Sequence, residues 1–228
     1  MAVDNFAREN LPPPALWPEF RLAGFGYPEH LNCVAELLDA WLARGHGDRP
    51  AMGSPDETWS YAGLAERVNR IANVLTRHLG VAPGNRVLLR GPNTPMLVAA
   101  TLAVMKAGGI AVPTMPLLRA RELRFVVEKA RISVALCDHK LLDEASRAGI
   151  DRIVPIGGEV GSLESLMAAE SAEFAPYPTR ADDVCLIAFT SGTTGVPKGT
   201  MHFHRDMLAT CDTYGRYVLR AESTDVFT

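Results

Sequence analysis

The feature that most constrains the fold is an alternation between residues 86 and 156. Arg86–Arg90, Ile110–Val112, Ser133–Leu136 and Arg152–Ile156 are short apolar runs, and helix-length segments separate them at Pro95–Ala107, Glu122–Arg131 and Lys140–Ala148. Short strands alternating with helices of this length predict a layered α/β fold, with a largely parallel sheet and helices on both faces. Two further helices precede the alternation. Leu31, Val34, Leu38, Trp41 and Leu42 share a face over Leu31–Ala43, and Gly45 stops that helix. Ser60 caps a longer one, with Leu64, Val68, Ile71, Leu75 and Leu79 at helical spacing and Gly80 closing it. Arg67, Arg70 and Arg77 lie off that stripe and read as a solvated face.

The chain divides into three stretches. Residues 1–30 carry Pro12, Pro13, Pro14, Pro18 and Pro28 among Leu16, Trp17, Phe20, Phe25 and Tyr27. Prolines forbid a regular helix there, so an extended leader packed on the domain through its aromatics is expected. Residues 31–180 form the α/β body. Residues 181–228 begin the next subdomain, after the proline-bearing linker Ala172–Asp183; Gly157–Gly161 reads as a loop.

Hydrophobic content of 47% over 228 residues is ample for a core, and a net charge of −3 gives no global pull toward nucleic acid. Arg119, Arg121, Arg124, Lys129 and Arg131 form a basic run, but Glu122 and Glu128 dilute it and no aromatic pattern accompanies it, so it reads as a solvated helix face. The N-terminus lacks a secretory core. Met96–Met105 is too short to span a membrane, and Lys106, Gly108, Gly109 and Pro113 interrupt its extension. Cys33, Cys137, Cys185 and Cys211 are far apart among apolar neighbours and read as reduced thiols, which suits a cytoplasmic protein.

The stretch that carries chemistry is Thr190-Ser-Gly-Thr-Thr-Gly-Val-Pro-Lys-Gly199, which follows the apolar strand Val184–Phe189. Gly192, Gly195 and Gly199 admit positive φ and leave no Cβ in the way, so backbone N–H groups can converge on an anion. Thr190, Ser191, Thr193 and Thr194 add hydroxyl donors, and Lys198 adds a mobile charge. A polyphosphate needs this set. It is not a Walker loop, because Lys198 precedes Gly199 and Thr200 while Gly195 lies three positions upstream. Helical pattern resumes after Phe203, which puts His204 or Asp206 near a helix N-terminus, where capping is the plain reading. His202 and His204 flank Phe203, but no third ligand lies at a recognisable spacing, so no metal residue is assigned. No Ser-His-Asp or Cys-His arrangement can be singled out from spacing.

Phe189–Gly199 resembles the signature phosphate loop of the adenylate-forming, AMP-binding superfamily of acyl-CoA synthetases, aryl-CoA ligases, luciferases and peptide-synthetase adenylation domains. Thr58-Trp-Ser-Tyr-Ala-Gly-Leu64 and Met105-Lys-Ala-Gly-Gly-Ile-Ala-Val-Pro113 resemble two further elements of that superfamily, in the same order. Met201–Asp206 and the leader, from Phe6 to Pro14 and Trp17 to Phe20, are most similar to 2-aminobenzoate- and benzoate-type CoA ligases.

The resemblance implies an AMP-forming acid–CoA ligase that uses ATP, Mg2+ and coenzyme A on a small aromatic carboxylic acid. Thr190, Ser191, Gly192, Thr193, Thr194, Gly195, Lys198 and Gly199 would then hold the β- and γ-phosphates. Fatty-acyl and amino-acid substrates, or a non-catalytic nucleotide-binding module, are the alternatives. The superfamily's Tyr-Gly-x-Thr-Glu and Thr-Gly-Asp elements and its lid domain do not occur before Thr228. The chain is therefore expected to be an N-terminal part of the adenylate-forming fold, without turnover of its own.

Overall fold

The computed structural model describes residues 3–158, 160–190 and 197–227. Its main sheet has six strands in the order β6-β5-β3-β4-β7-β8. These are β3 (Arg86–Arg90), β4 (Ile110–Thr114), β5 (Val134–Asp138), β6 (Arg152–Ile156), β7 (Val184–Thr190) and β8 (Lys198–Phe203). All neighbours run parallel except β7 and β8, which pair antiparallel. A separate hairpin, β1 (Pro50–Gly53) with β2 (Thr58–Ser60), buries Trp59.

Strand pleating divides the core between the two faces of the sheet. Val87, Leu89, Ala111, Val134 and Leu136 pack with α3 (Tyr61–Asn73), α4 (Pro95–Lys106) and α7 (Leu163–Met167). Leu88, Ile110, Val112 and Ala135 point the other way, onto Leu123, Val126 and Val127 of α5 (Ala120–Ala130). The short α6 (Leu142–Ser146) lies between β5 and β6. The layered α/β fold with helices on both faces is therefore present as expected.

The caps follow the sequence signals. Ser60 Oγ accepts the Gly63 N–H at 3.1 Å, and Thr94 Oγ1 accepts the Leu97 N–H at 3.2 Å ahead of Pro95. The helix expected over Leu31–Ala43 is less regular. A π-helical turn over Ala35–Asp39 precedes α2 (Ala40–Ala43). Helix α7 was not expected from the sequence; Ser162 caps it, its Oγ accepting the Ser165 N–H at 3.3 Å.

The three arginines off the α3 stripe do more than face solvent. The Arg67 guanidinium stacks on the Trp59 ring at 4.2 Å, and Arg70 donates to the carbonyls of Glu170 at 2.5 Å and Met167 at 3.3 Å. Arg77 pairs with Glu170 at 3.3 Å. Arg70 and Arg77 tie α3 and the π-helical turn Val74–His78 that continues it to the end of α7, while Arg67 joins α3 to β2. By contrast Arg119, Arg121, Arg124, Lys129 and Arg131 are all exposed, as the sequence suggested.

The leader is not wholly extended. Helix α1 (Phe6–Glu9) forms ahead of the first proline, and 3-10 turns follow at Pro14–Leu16 and Ala23–Phe25. Its aromatics do pack on the domain. The Phe6 ring lies 4.8 Å from the Arg86 guanidinium and 4.7 Å from that of Arg131, and Trp17 meets Phe203 at 5.3 Å between centroids. Asp4 accepts from Arg86 at 2.5 Å. Gly84, at φ +82, lies so close to the Asp4 carbonyl that no side chain fits there.

Candidate functional site

Parallel pairing brings the C-terminal ends of β3, β4, β5, β6 and β7 to one edge of the sheet, the edge where ligands of open α/β sheets gather. Arg90 organises part of this edge. It is buried at the end of β3 and donates to the carbonyls of Met115, Pro116 and Leu118 at 2.7–2.9 Å, shaping the chain after β4. Thr190 ends β7 at the same edge, and the chain returns as β8 with Lys198 directly opposite Thr190.

Of the eight residues expected to hold phosphate, Thr190, Lys198 and Gly199 are described, whereas Ser191, Gly192, Thr193, Thr194 and Gly195 lie outside the described residues. Thr190 and Lys198 are brought together, and both are exposed. The Thr190 hydroxyl lies 3.5 Å from the Lys198 carbonyl, too long to hold it firmly, so this donor is free to turn toward a ligand. The neighbouring Thr200 hydroxyl is committed, donating to the Ala188 carbonyl at 2.9 Å.

Gly199 corrects the sequence reading. It is not among the glycines with positive φ. A Cβ there would sit 3.1 Å from Ile187 Cγ2 and 3.4 Å from Phe189 Cζ, so glycine serves close approach between the paired strands. Strand β8 itself was missed, because Lys-Gly-Thr-Met-His-Phe lacks an alternating apolar pattern. Its first three residues are exposed and only Phe203 is buried, the profile of an edge strand.

The base of this strand pair is tightly held. The Asp206 carboxylate accepts the Phe203 N–H at 2.8 Å, the helix-capping role expected near that position, and starts α8 (His204–Thr210). The Phe20 and Phe203 rings lie 4.3 and 5.1 Å from the Arg205 guanidinium, which joins the leader to β8. His204 turns inward instead of capping. It is buried, with Nδ1 3.1 Å from the Cys33 backbone N–H donor and 3.2 Å from Cys33 Sγ.

Cys33 and Cys185 are more than small hydrophobes. The Cys185 thiol donates toward Cys33 and so holds the Cys33 thiol below its ordinary value; burial opposes this, and His204 adds to the lowering. The proton retained by Cys185 raises that thiol in turn, and burial raises it further. Spacing could not reveal the group, since Cys33 and His204 are 171 residues apart. A cleft of about 280 Å3 lies between the leader and the N-terminal ends of β4 and β7, lined by Asp4, Gly84, Ile110 and Val184. It is at the edge opposite Thr190 and belongs to the seating of the leader.

Fold and motif together define the class: a layered α/β domain whose signature segment begins and ends in an antiparallel strand pair at one edge of its sheet. The chain belongs to the AMP-binding enzyme family, whose model matches residues 39–228. It is 32% identical over 208 residues to the benzoate–CoA ligase of Thauera aromatica, an alignment covering 87% of this chain and 39% of that protein. It is 30% identical over 194 residues to gramicidin S synthase 2 of Aneurinibacillus migulanus, covering 83% of this chain and 4% of that protein. Among solved structures, an anthranilate–CoA ligase in complex with anthranoyl-AMP superposes with a TM-score of 0.78 at 25% identity, over 84% of this chain and 37% of that one. The chain thus spans about two-fifths of the length of the benzoate–CoA ligase it matches. Among the described residues, no helix is long and apolar enough to cross a membrane.

Proposed function

We propose that this chain supplies the phosphate-gripping part of an ATP-dependent, AMP-forming acid–CoA ligase that activates a small aromatic acid. The observation that carries the reading is the pairing of exposed Thr190 with exposed Lys198 at the ligand edge, on either side of the signature segment. Thr190, Ser191, Gly192, Thr193, Thr194, Gly195, Lys198 and Gly199 are the proposed contacts to the β- and γ-phosphates.

A carboxylate is a poor electrophile, and the reaction repairs this in two steps. An oxygen of the acid attacks the α-phosphorus of ATP, and pyrophosphate leaves. The coenzyme A sulfur then attacks the acyl carbon, and AMP leaves with the electron pair. In the first step charge builds on the pyrophosphate, and fixed donors aimed at it lower the barrier. Lys198 Nζ contributes a compact positive charge, Thr190 Oγ1 a hydroxyl donor, and the close strand approach at Gly199 keeps the two arms together. An exposed cation beside an exposed hydroxyl fits an anionic ligand. Mg2+, when bound, would neutralise phosphate oxygens; no carboxylate of this chain is assigned to it.

The aromatic acid is supported by the likeness to benzoate–CoA and anthranilate–CoA ligases. Amino-acid activation is the second reading, favoured by the 30% identity to gramicidin S synthase 2. A cytoplasmic setting is proposed alongside, in keeping with the free thiols of Cys33, Cys137, Cys185 and Cys211. Acid-dependent pyrophosphate exchange into ATP by the whole protein tests the proposal. Benzoate, 2-aminobenzoate or a hydroxybenzoate should support exchange, while amino acids and fatty acids should not. Exchange driven by an amino acid alone would move the protein to the second reading, and no exchange with any acid would overturn both.

A further inference from the structure

Beneath the strand pair lies a cluster to which phosphate binding gives no role. Cys33 Sγ, Cys185 Sγ and a ring nitrogen of His204 all lie within 4.8 Å of one another, and all three residues are buried. His204 Nδ1 is the nitrogen facing Cys33 Sγ, at 3.2 Å. Met105 Sδ lies 4.0 Å from Cys33 Sγ. His204 Nε2 is buried with no hydrogen-bond partner among the described residues. His204 Nδ1 also accepts the Cys33 N–H at 3.1 Å, so a metal on that nitrogen would turn the N–H to a thiolate sulfur.

Each member is delivered by backbone that is already fixed. Asn32 holds the Cys33 turn: its Oδ1 accepts the Val34 N–H at 3.1 Å, and its Nδ2 donates to the carbonyls of Met105, Lys106 and Tyr177 at 3.1–3.2 Å. Cys185 sits where the β7–β8 register shifts between Val184 and Leu186, an irregularity of the kind that re-aims a side chain. His204 is the first residue of α8, and its N–H is bound to the Asp183 carbonyl at 3.1 Å.

We propose that Cys33, Cys185 and His204 form a binding site for a divalent d10 cation of the zinc type, with Met105 sulfur at its fourth side. Tetrahedral zinc bonds of about 2.3 Å to sulfur and 2.0 Å to nitrogen place sulfur and nitrogen about 3.5 Å apart and two sulfurs about 3.8 Å apart. His204 Nδ1 and Cys33 Sγ are already close to the first of these at 3.2 Å, and all three donor atoms lie within 4.8 Å of one another. Its donors are soft, which selects against Mg2+ and Ca2+. Charge decides the oxidation state: two thiolates neutralise a divalent ion, so the complex can stay buried, whereas a monovalent ion would leave a net negative charge. Binding releases the two thiol protons to solvent, forms two metal–sulfur bonds and one metal–nitrogen bond, and changes no oxidation state. The site would clamp the Cys33 segment to β7, which leads into residues 190–199, and to α8, which follows β8. It does not depend on the ligase reading.

The test is titration of the reduced chain with Co2+ as a spectroscopic probe, in a Cys137→Ala/Cys211→Ala background that removes the other thiols. A single equivalent should produce tetrahedral d–d bands and a thiolate-to-cobalt charge-transfer band, which Zn2+ then abolishes by displacement. Cys185→Ala should halve the charge-transfer intensity, and Cys33→Ala/Cys185→Ala should remove it. Should those variants fail to fold, alkylation of the unsubstituted chain gives a second readout: Zn2+ should protect Cys33 and Cys185, while exposed Cys211 still reacts. Absence of the bands, bands that survive the double substitution, or alkylation indifferent to Zn2+ would each overturn the proposal. So would a Cys33–Cys185 disulfide that forms on mild oxidation in a chain taking up no Co2+.

Discussion

The parallel body of the sheet and its antiparallel edge are held in opposite ways. Every residue of β3 is buried, with Val87 and Leu89 in one core and Leu88 in the other. In β8 Lys198, Gly199 and Thr200 are exposed, and the strand is anchored at its far end by Phe203 against Trp17 and Phe20. Stability is thus concentrated in the body, while the groups free to meet a ligand lie on the edge. A bland rival exists for the edge: an exposed lysine on an outer strand also blocks pairing with another chain. The two accounts part company on how stability and chemistry respond to substitution.

The largest effect on stability is expected at a buried lysine beside the body, whose carboxylate partner is only half-buried. Lys106 Nζ is nearly inaccessible and lies 2.7 Å from Asp39 Oδ1 and 2.7 Å from Asn69 Oδ1. Asp39→Ala leaves that ammonium without its carboxylate and should cost about 4 kcal/mol in denaturant unfolding. A loss under about 1 kcal/mol would mean that Lys106 relaxes to water and that the body is less tightly built than described. Leu136→Ala, in the middle of β5, should come next at about 3 kcal/mol, read as a fall in thermal midpoint.

Acid should act on the leader. Burial alone would raise the Asp4 carboxyl, but bonds from Arg86, the Phe6 N–H and Asn85 outweigh it and hold it below 3.8. A carboxyl lowered on folding contributes stability that is present above its unfolded value and lost as pH falls through the folded one. Below pH 3.8 the leader should therefore loosen, seen as a change in Trp17 emission, and Asp4→Asn should remove that pH dependence at a cost under about 1 kcal/mol. Smallest of all, Lys198→Ala should change stability by no more than about 0.5 kcal/mol.

How much of this was legible follows the same division. Strands β3 and β5 announce themselves because both faces are covered, so the apolar runs Arg86–Arg90 and Ser133–Leu136 stand out between turns. The outer strand β6 is half-buried and still legible through Ile153, Val154 and Ile156, whereas the outer strand β8 buries Phe203 alone and lacks such a run. The motif residues could be named from chemistry alone, but the reason for Gly199 could not, because it depends on Ile187 and Phe189 across the ladder. The pairing of Arg70 with the carbonyls of Met167 and Glu170, and the meeting of Cys33 with His204, are contacts between distant segments that local pattern does not encode.

The central claim is that the strand pair at the sheet edge exists to grip ATP phosphates. Its most direct measurement is acid-dependent pyrophosphate exchange by the whole protein carrying Thr190→Ala and Lys198→Ala, with the thermal midpoint recorded on the same sample. The account predicts a loss of at least about 100-fold in exchange with the midpoint almost unmoved. A folded double variant that exchanges at the full rate would contradict it and leave Lys198 as a guard on an outer strand.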